Sequence, residues 1–148
     1  MGIVWQETGF RRPLALSFNP EASHLAAVFA SGDSLLIEIR EVRSGSATAS
    51  HSFPEHRLPQ PGWIAARTLL SGHDVAVARL LYAERDSVSV TVYGLAERRV
   101  RLCDTFAVAR DSTVWLRPRV QIAAFDPDHF LVLGPGAARV YPWQGTPR

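Results

Sequence analysis

Five histidines, one cysteine and a Ser-Gly-Asp-Ser stretch are the residues whose chemistry could make this 148-residue chain an enzyme or a metal protein. His24, His73 and His129 each stand just before an apolar run, so a repeating structure would carry them on one rim. Zinc holds all its ligands at ~2.0 to 2.3 Å, and residues that recur once per structural unit stand much farther apart. They are expected to be turn residues. His51 and His56 are closer in sequence, within "HSFPEHRLPQPG", but three prolines and the lack of a cysteine or acidic ligand at metal spacing point to a linker. The "SGDS" at 31–34 has the letters of a protease motif, yet it lies between two apolar runs and no Gly-Gly-Pro follows. Cys103, in "VRLCDTF", has no flanking His or Asn motif and is expected to be a buried, inert thiol. There is no glycine-rich phosphate loop, no Cys-x-x-Cys and no lysine at all, which closes Schiff-base, phosphate-loop-lysine and Ser-Lys chemistry. The sequence therefore predicts no catalytic residue, no cofactor and no metal.

Composition sets the frame in which these residues must sit. With 47% hydrophobic and 20% charged residues, the chain is predicted to be a single domain over 1–148, built around one core. Its formal charge of +2 supplies no strong field toward nucleic acid, and nucleic acid is not an expected partner. All 16 basic residues are arginine, the mark of a GC-rich, bacterial genome. The longest apolar runs, "IAARTLL" and "FLVLG", fall short of the ~20 residues of a membrane helix. One cysteine, with no N-terminal signal pattern, predicts a cytoplasmic protein without a membrane partner.

Apolar periodicity predicts strands nearly throughout. Residues 35–42, "LLIEIREV", and 88–93, "VSVTVY", alternate with the period of two of a half-buried strand. The runs 25–29, 75–82 and 130–133 are more continuously apolar, which suits strands covered on both faces. Turn residues fall between them at Ser31-Gly32-Asp33, Arg43-Ser44-Gly45-Ser46 and Gly134-Pro135-Gly136. Arg98, Arg99 and Arg101 would then blunt an exposed strand edge.

The pattern repeats at a period of about 50 residues, in the range of radial arrays of four-stranded units. Units run over about 12–53, 63–106 and 119–145, and the spacing from Leu36 to Phe53 recurs without a gap from Ser89 to Phe106. Phe18-Asn19-Pro20 answers to Phe125-Asp126-Pro127, and Phe18 and Phe125 are expected to be buried at equivalent positions. The third unit has three strands, and a strand at 2–9 is expected to complete it beside Arg139 to Tyr141.

"SFNPEASHLA" and "AFDPDHFLV" resemble the first-to-second-strand turn of WD40-type β-propeller blades, usually Phe-Ser-Pro-Asp-Gly before an apolar strand. Gly72-His73 falls where that turn lies in the other units, and no Trp-Asp pair ends a third strand. The resemblance implies an all-β protein of antiparallel four-stranded meanders, about three WD40-like blades; a compact β-sandwich or barrel is the alternative. Such folds mostly bind and sometimes catalyse. Because propellers close with ~4 to 8 blades, three blades imply a protein partner or a second copy of the chain. The expected function is a non-catalytic protein-binding or scaffold module within a homo-oligomer or larger complex. The alternative is an enzyme or small-ligand binder with its site at an assembled channel. Trp5, Trp115 and Trp143 are the expected contact residues, since aromatic side chains are enriched at interfaces.

Overall fold

The computed structural model describes residues 13–55, 66–81, 86–109 and 120–144. The strand expected at 2–9, Trp5 and Trp115 lie outside the described residues. The protein is all-β, with eleven strands and no helix among the described residues: β1 (Ala15–Phe18), β2 (His24–Ser31), β3 (Ser34–Glu41), β4 (Ala47–Pro54), β5 (Ala66–Ser71), β6 (Asp74–Leu81), β7 (Ser87–Gly94), β8 (Arg99–Ala107), β9 (Gln121–Asp126), β10 (His129–Gly134) and β11 (Ala137–Pro142). They form three antiparallel meanders: a first sheet β1-β2-β3-β4, a second β5-β6-β7-β8 and a third β9-β10-β11.

Turn chemistry decides where each strand reverses. Pro135-Gly136 links β10 to β11 with Gly136 at φ 68°, as expected of a turn that takes proline second and a left-handed glycine third. The turn from β1 to β2 is held by Asn19, whose side-chain oxygen accepts the His24 backbone N–H at 2.9 Å. Asp126 does similar work between β9 and β10, accepting the Asp128 backbone N–H at 2.8 Å. Short polar side chains that bond their own backbone favour turns, and this is the physical content of the Asn-Pro and Asp-Pro repetition.

The repeat extends to strand register. Leu35 pairs with Phe53 and Val88 with Phe106. Four residues further along, the ladder is interrupted at Ile39/Arg40 in the first sheet and at Val92/Tyr93 in the second. The gapless spacing seen in the sequence is thus a shared third-to-fourth-strand pairing with a shared irregularity.

Among the described residues two apolar clusters are buried where one core was expected, one on each side of the second sheet. Between the first and second sheets lie Val28, Ile37, Ile39, Phe53, Leu70 and Val77. Between the second and third lie Val90, Val92, Phe106, Phe130, Val132 and Trp143. The first strands come together, β1 approaching β5 and β5 approaching β9.

A sheet covered on both faces is largely apolar on both, and β6 is buried at every position but its ends, with Arg79 its one buried charge. β7 is covered on both faces too, so the expected half-buried alternation at 88–93 is corrected: Ser89 and Thr91 are buried along with Val88, Val90 and Val92. The run 130–133 departs in the opposite sense. Phe130 and Val132 are buried, while Leu131 is half-buried and Leu133 is exposed, because the third sheet has a neighbour on one face only among the described residues.

Candidate functional site

Alternation along each strand gives every sheet two faces, and partner positions in an antiparallel ladder share a face. On the first sheet, Ala26, Val28 and Ile37 face the second sheet. Its other face carries Leu16, 54% exposed, and Phe18, 56% exposed. On the third sheet, Phe130 and Val132 face the second. Its other face carries Phe125, 61% exposed, with Leu133 and Val140 also exposed. Phe18 and Phe125 are therefore exposed and not buried. Both lie on the first strand of a sheet at one end of the array, on the face that no other sheet covers among the described residues. Nor are they equivalent: Phe18 pairs with Leu25, whose counterpart Phe130 pairs with Ala124, and Phe125 falls at the bulge between the His129 and Phe130 pairings.

Register shows what a neighbour would cover. Phe18 pairs with Leu25 as Leu70 pairs with Val75, so Phe18 and Leu70 hold equivalent places. Leu70 is buried against the first sheet at 2% exposure. Val140 pairs with Leu131 as Val92 pairs with Ala76 and Ile39 with Ala26. Val92 and Ile39 are buried within the two clusters, while Val140 is 46% exposed. The two ends of the array thus present apolar faces of opposite kinds, one that would follow a sheet and one that would precede it.

Between sheets, polar clasps flank the apolar packing. The Arg139 guanidinium donates to Asp104 Oδ2 at 2.9 Å and the Tyr141 hydroxyl donates to the same oxygen at 2.7 Å. Arg139 also lies over the Phe106 ring, 5.1 Å from its centroid. Burial opposes the Asp104 charge, but the bonds from Tyr141, from the Thr105 backbone and from Arg139 outweigh it and hold the carboxyl below its usual range. Between the first and second sheets, Arg79 donates to Glu55 Oε2 at 2.8 Å, and the Tyr93 hydroxyl lies 3.5 Å from that oxygen. Burial pushes the Tyr93 hydroxyl up to about 12, with Glu55 adding to the shift.

Beside this second clasp lies a cleft of about 470 Å³, lined by Glu55, Arg79, Thr91, Tyr93, Cys103 and Thr105 among others. Cys103 is exposed rather than buried, because it lies on β8, the outermost strand. Its sulfur is 4.0 Å from the Thr91 hydroxyl. Two carboxylates line the cleft, Glu55, ion-paired with Arg79, and Asp104, which accepts from Arg139 and Tyr141.

His51 lies not in a linker but within β4, paired with Ile37 and with its ring centroid 4.7 Å from that of Phe53, and His56 lies outside the described residues. The other three histidines stand at turns. His24 and His129 open β2 and β10, while His73 lies in the β5–β6 turn one place before Asp74. His129 Nδ1 is 2.8 Å from Asp126 Oδ1 within its own exposed turn. No group of three metal-ligating side chains occurs among the described residues. Arg99 and Arg101 both pair with Glu97, and Arg101 reaches Asp74 at 3.0 Å, so much of the basic cluster on β8 is neutralised at close range. Trp143 is placed inside the core between the second and third sheets, 7% exposed, with its ring centroid 4.7 Å from that of Phe130.

An incomplete array was expected to leave its ends uncovered; what sequence reasoning did not locate is which residues lie on those faces, where the signal available was Leu16, Phe18 and Phe125, large apolar residues at both ends of a repeat. Comparison with protein-family models, with curated proteins and with solved structures gave no match. No helix among the described residues is long and apolar enough to cross a membrane.

Proposed function

We propose that the chain is a cytoplasmic, non-catalytic protein-binding module made of three WD40-like blades, and that it binds through the open faces of its end sheets. The observation that carries this reading is the exposure of Phe18 and Val140 at places whose equivalents, Leu70 and Val92, are buried. Contiguous exposed apolar surface marks interaction sites in soluble proteins. The internal clasps support a rigid presenting scaffold, since they tie each sheet to the next by hydrogen-bonded charge.

Photo-crosslinking tests the reading directly. A photoreactive phenylalanine analogue at position 18 or 125, in the cells that make the protein, is expected to give discrete protein adducts. The same probe at Ser44, in the exposed β3–β4 turn, is expected to give none. Equal labelling at all three positions, or none at 18 and 125, contradicts it.

A further inference from the structure

The two open faces are complementary to each other. Within the chain, the second sheet packs its preceding face on the first sheet's following face, and the third sheet repeats this on the second. Leu70 and Ile39 meet in one cluster by that operation. Phe18 is the equivalent of Leu70, and Val140 is the equivalent of Ile39. Applying the same operation once more from the third sheet calls for a sheet whose preceding face is apolar and open, and the first sheet of another copy has that face.

We infer that the occupant of these faces is a second copy of the chain, with Phe18 of one protomer packed toward Val140 of its partner, so that two chains close a six-sheet ring. The inference rests on reading the open faces as protein-binding. Charge does not oppose it: on the first sheet's open face, Glu38 and Arg40 neutralise one another at 2.7 Å, and the net charge of +2 gives two copies little long-range repulsion. Contacts of this head-to-tail kind close into rings when the rotation permits and otherwise run on as filaments. The approach of β1 to β5 and of β5 to β9 gathers first strands about one line, the arrangement that favours closure. Closure makes the second contact intramolecular and raises the effective concentration at it.

The test is molar mass by light scattering on the purified full chain and on two surface variants, Phe18→Glu and Val140→Arg. The wild type is expected at twice the 16.3 kDa chain mass. Each variant alone is expected at the monomer mass, because either change spoils both contacts of the ring. An equimolar mixture is expected to regain the dimer mass, since one contact is then native and the other sets Glu against Arg. Both positions are exposed, and an unchanged cooperative melt of each variant is the check that its fold is intact. A wild-type monomer, a ladder of larger species, or a dimer that survives one variant and not the other overturns the inference. In the first case the binding reading is judged separately, by whether photo-crosslinked adducts carry a different protein.

Discussion

Tyr93 and Tyr141 occupy the same place in consecutive sheets, paired with Val75 and Phe130, and each directs its hydroxyl toward a carboxylate near the outer strand of the sheet before. The two clasps differ in solvent access. Arg79 and Glu55 are 5% and 14% exposed, whereas Arg139 and Asp104 are 51% and 37% exposed. Water screens an exposed ion pair, so the Tyr141–Asp104 hydrogen bond carries more of its clasp than the arginine does. Tyr141→Phe is expected to lower stability by about 1.5 kcal/mol, the lower end for a hydrogen bond to a charged group. Arg139→Gln is expected to change it less. Urea denaturation of both variants checks the order.

Acid should weaken the same clasp. Asp104 has a folded pKa below its ordinary 3.8, so its contribution is present above that value and is lost as pH falls through the lowered one. In Asp104→Asn this part of the acid limb should be absent, with stability lower at neutral pH and less dependent on pH below about 4. Chemical denaturation at a series of acid pH values gives the slope.

Alkali acts on the buried tyrosine. Tyr93 rises from 10.0 to about 12 in the fold, so the folded state keeps its proton where the unfolded state loses it. Its stabilising contribution is full below pH 10 and declines as pH rises toward 12. Tyr93→Phe is expected to remove that share of the alkaline slope, as read from melting temperature against pH in the two proteins.

A methyl group at Gly134 would meet Val108 at 2.8 Å and Val88 at 2.9 Å. These are close approaches between β10 and the second sheet's side of the core. Gly134→Ala should therefore cost about 1–3 kcal/mol, the range for overpacking a filled core. Calorimetry would show the loss as a lower melting temperature with an unchanged molar mass.

Trp143 sets core against surface. Packed on Phe130 and 7% exposed, it should cost about 3–5 kcal/mol on truncation to Ala, as large-to-small core changes do. A near-neutral effect would place its ring outside the core.

Strand identity, turn positions and register were legible because they rest on local chemistry. The alternation at 35–42 became β3, and the equal spacing to Phe53 and Phe106 became equal pairing. What alternation cannot say is which of a strand's faces has a neighbour. That is why Phe18 and Phe125 were expected inside, why Cys103 was placed in the core, and why Ser89 and Thr91 were read as facing water. These errors concern faces and are explained by position in the array: among the described residues the end sheets have one face without a neighbouring sheet, outer strands leave side chains uncovered, and the inner strands of the middle sheet bury even Ser89 and Thr91.

The central claim, that the open faces at Phe18 and Val140 meet between two copies, is tested most directly by thiol cross-linking in trans. Phe18→Cys and Val140→Cys would each be made in a Cys103→Ser background, which removes the native exposed thiol. Treated with a short bifunctional thiol reagent, the mixture is expected to give a covalent dimer that joins one chain of each kind, and neither variant alone should give it. A mixture that stays uncrosslinked, or Phe18→Cys chains that couple to each other as readily as to Val140→Cys chains, would contradict the claim.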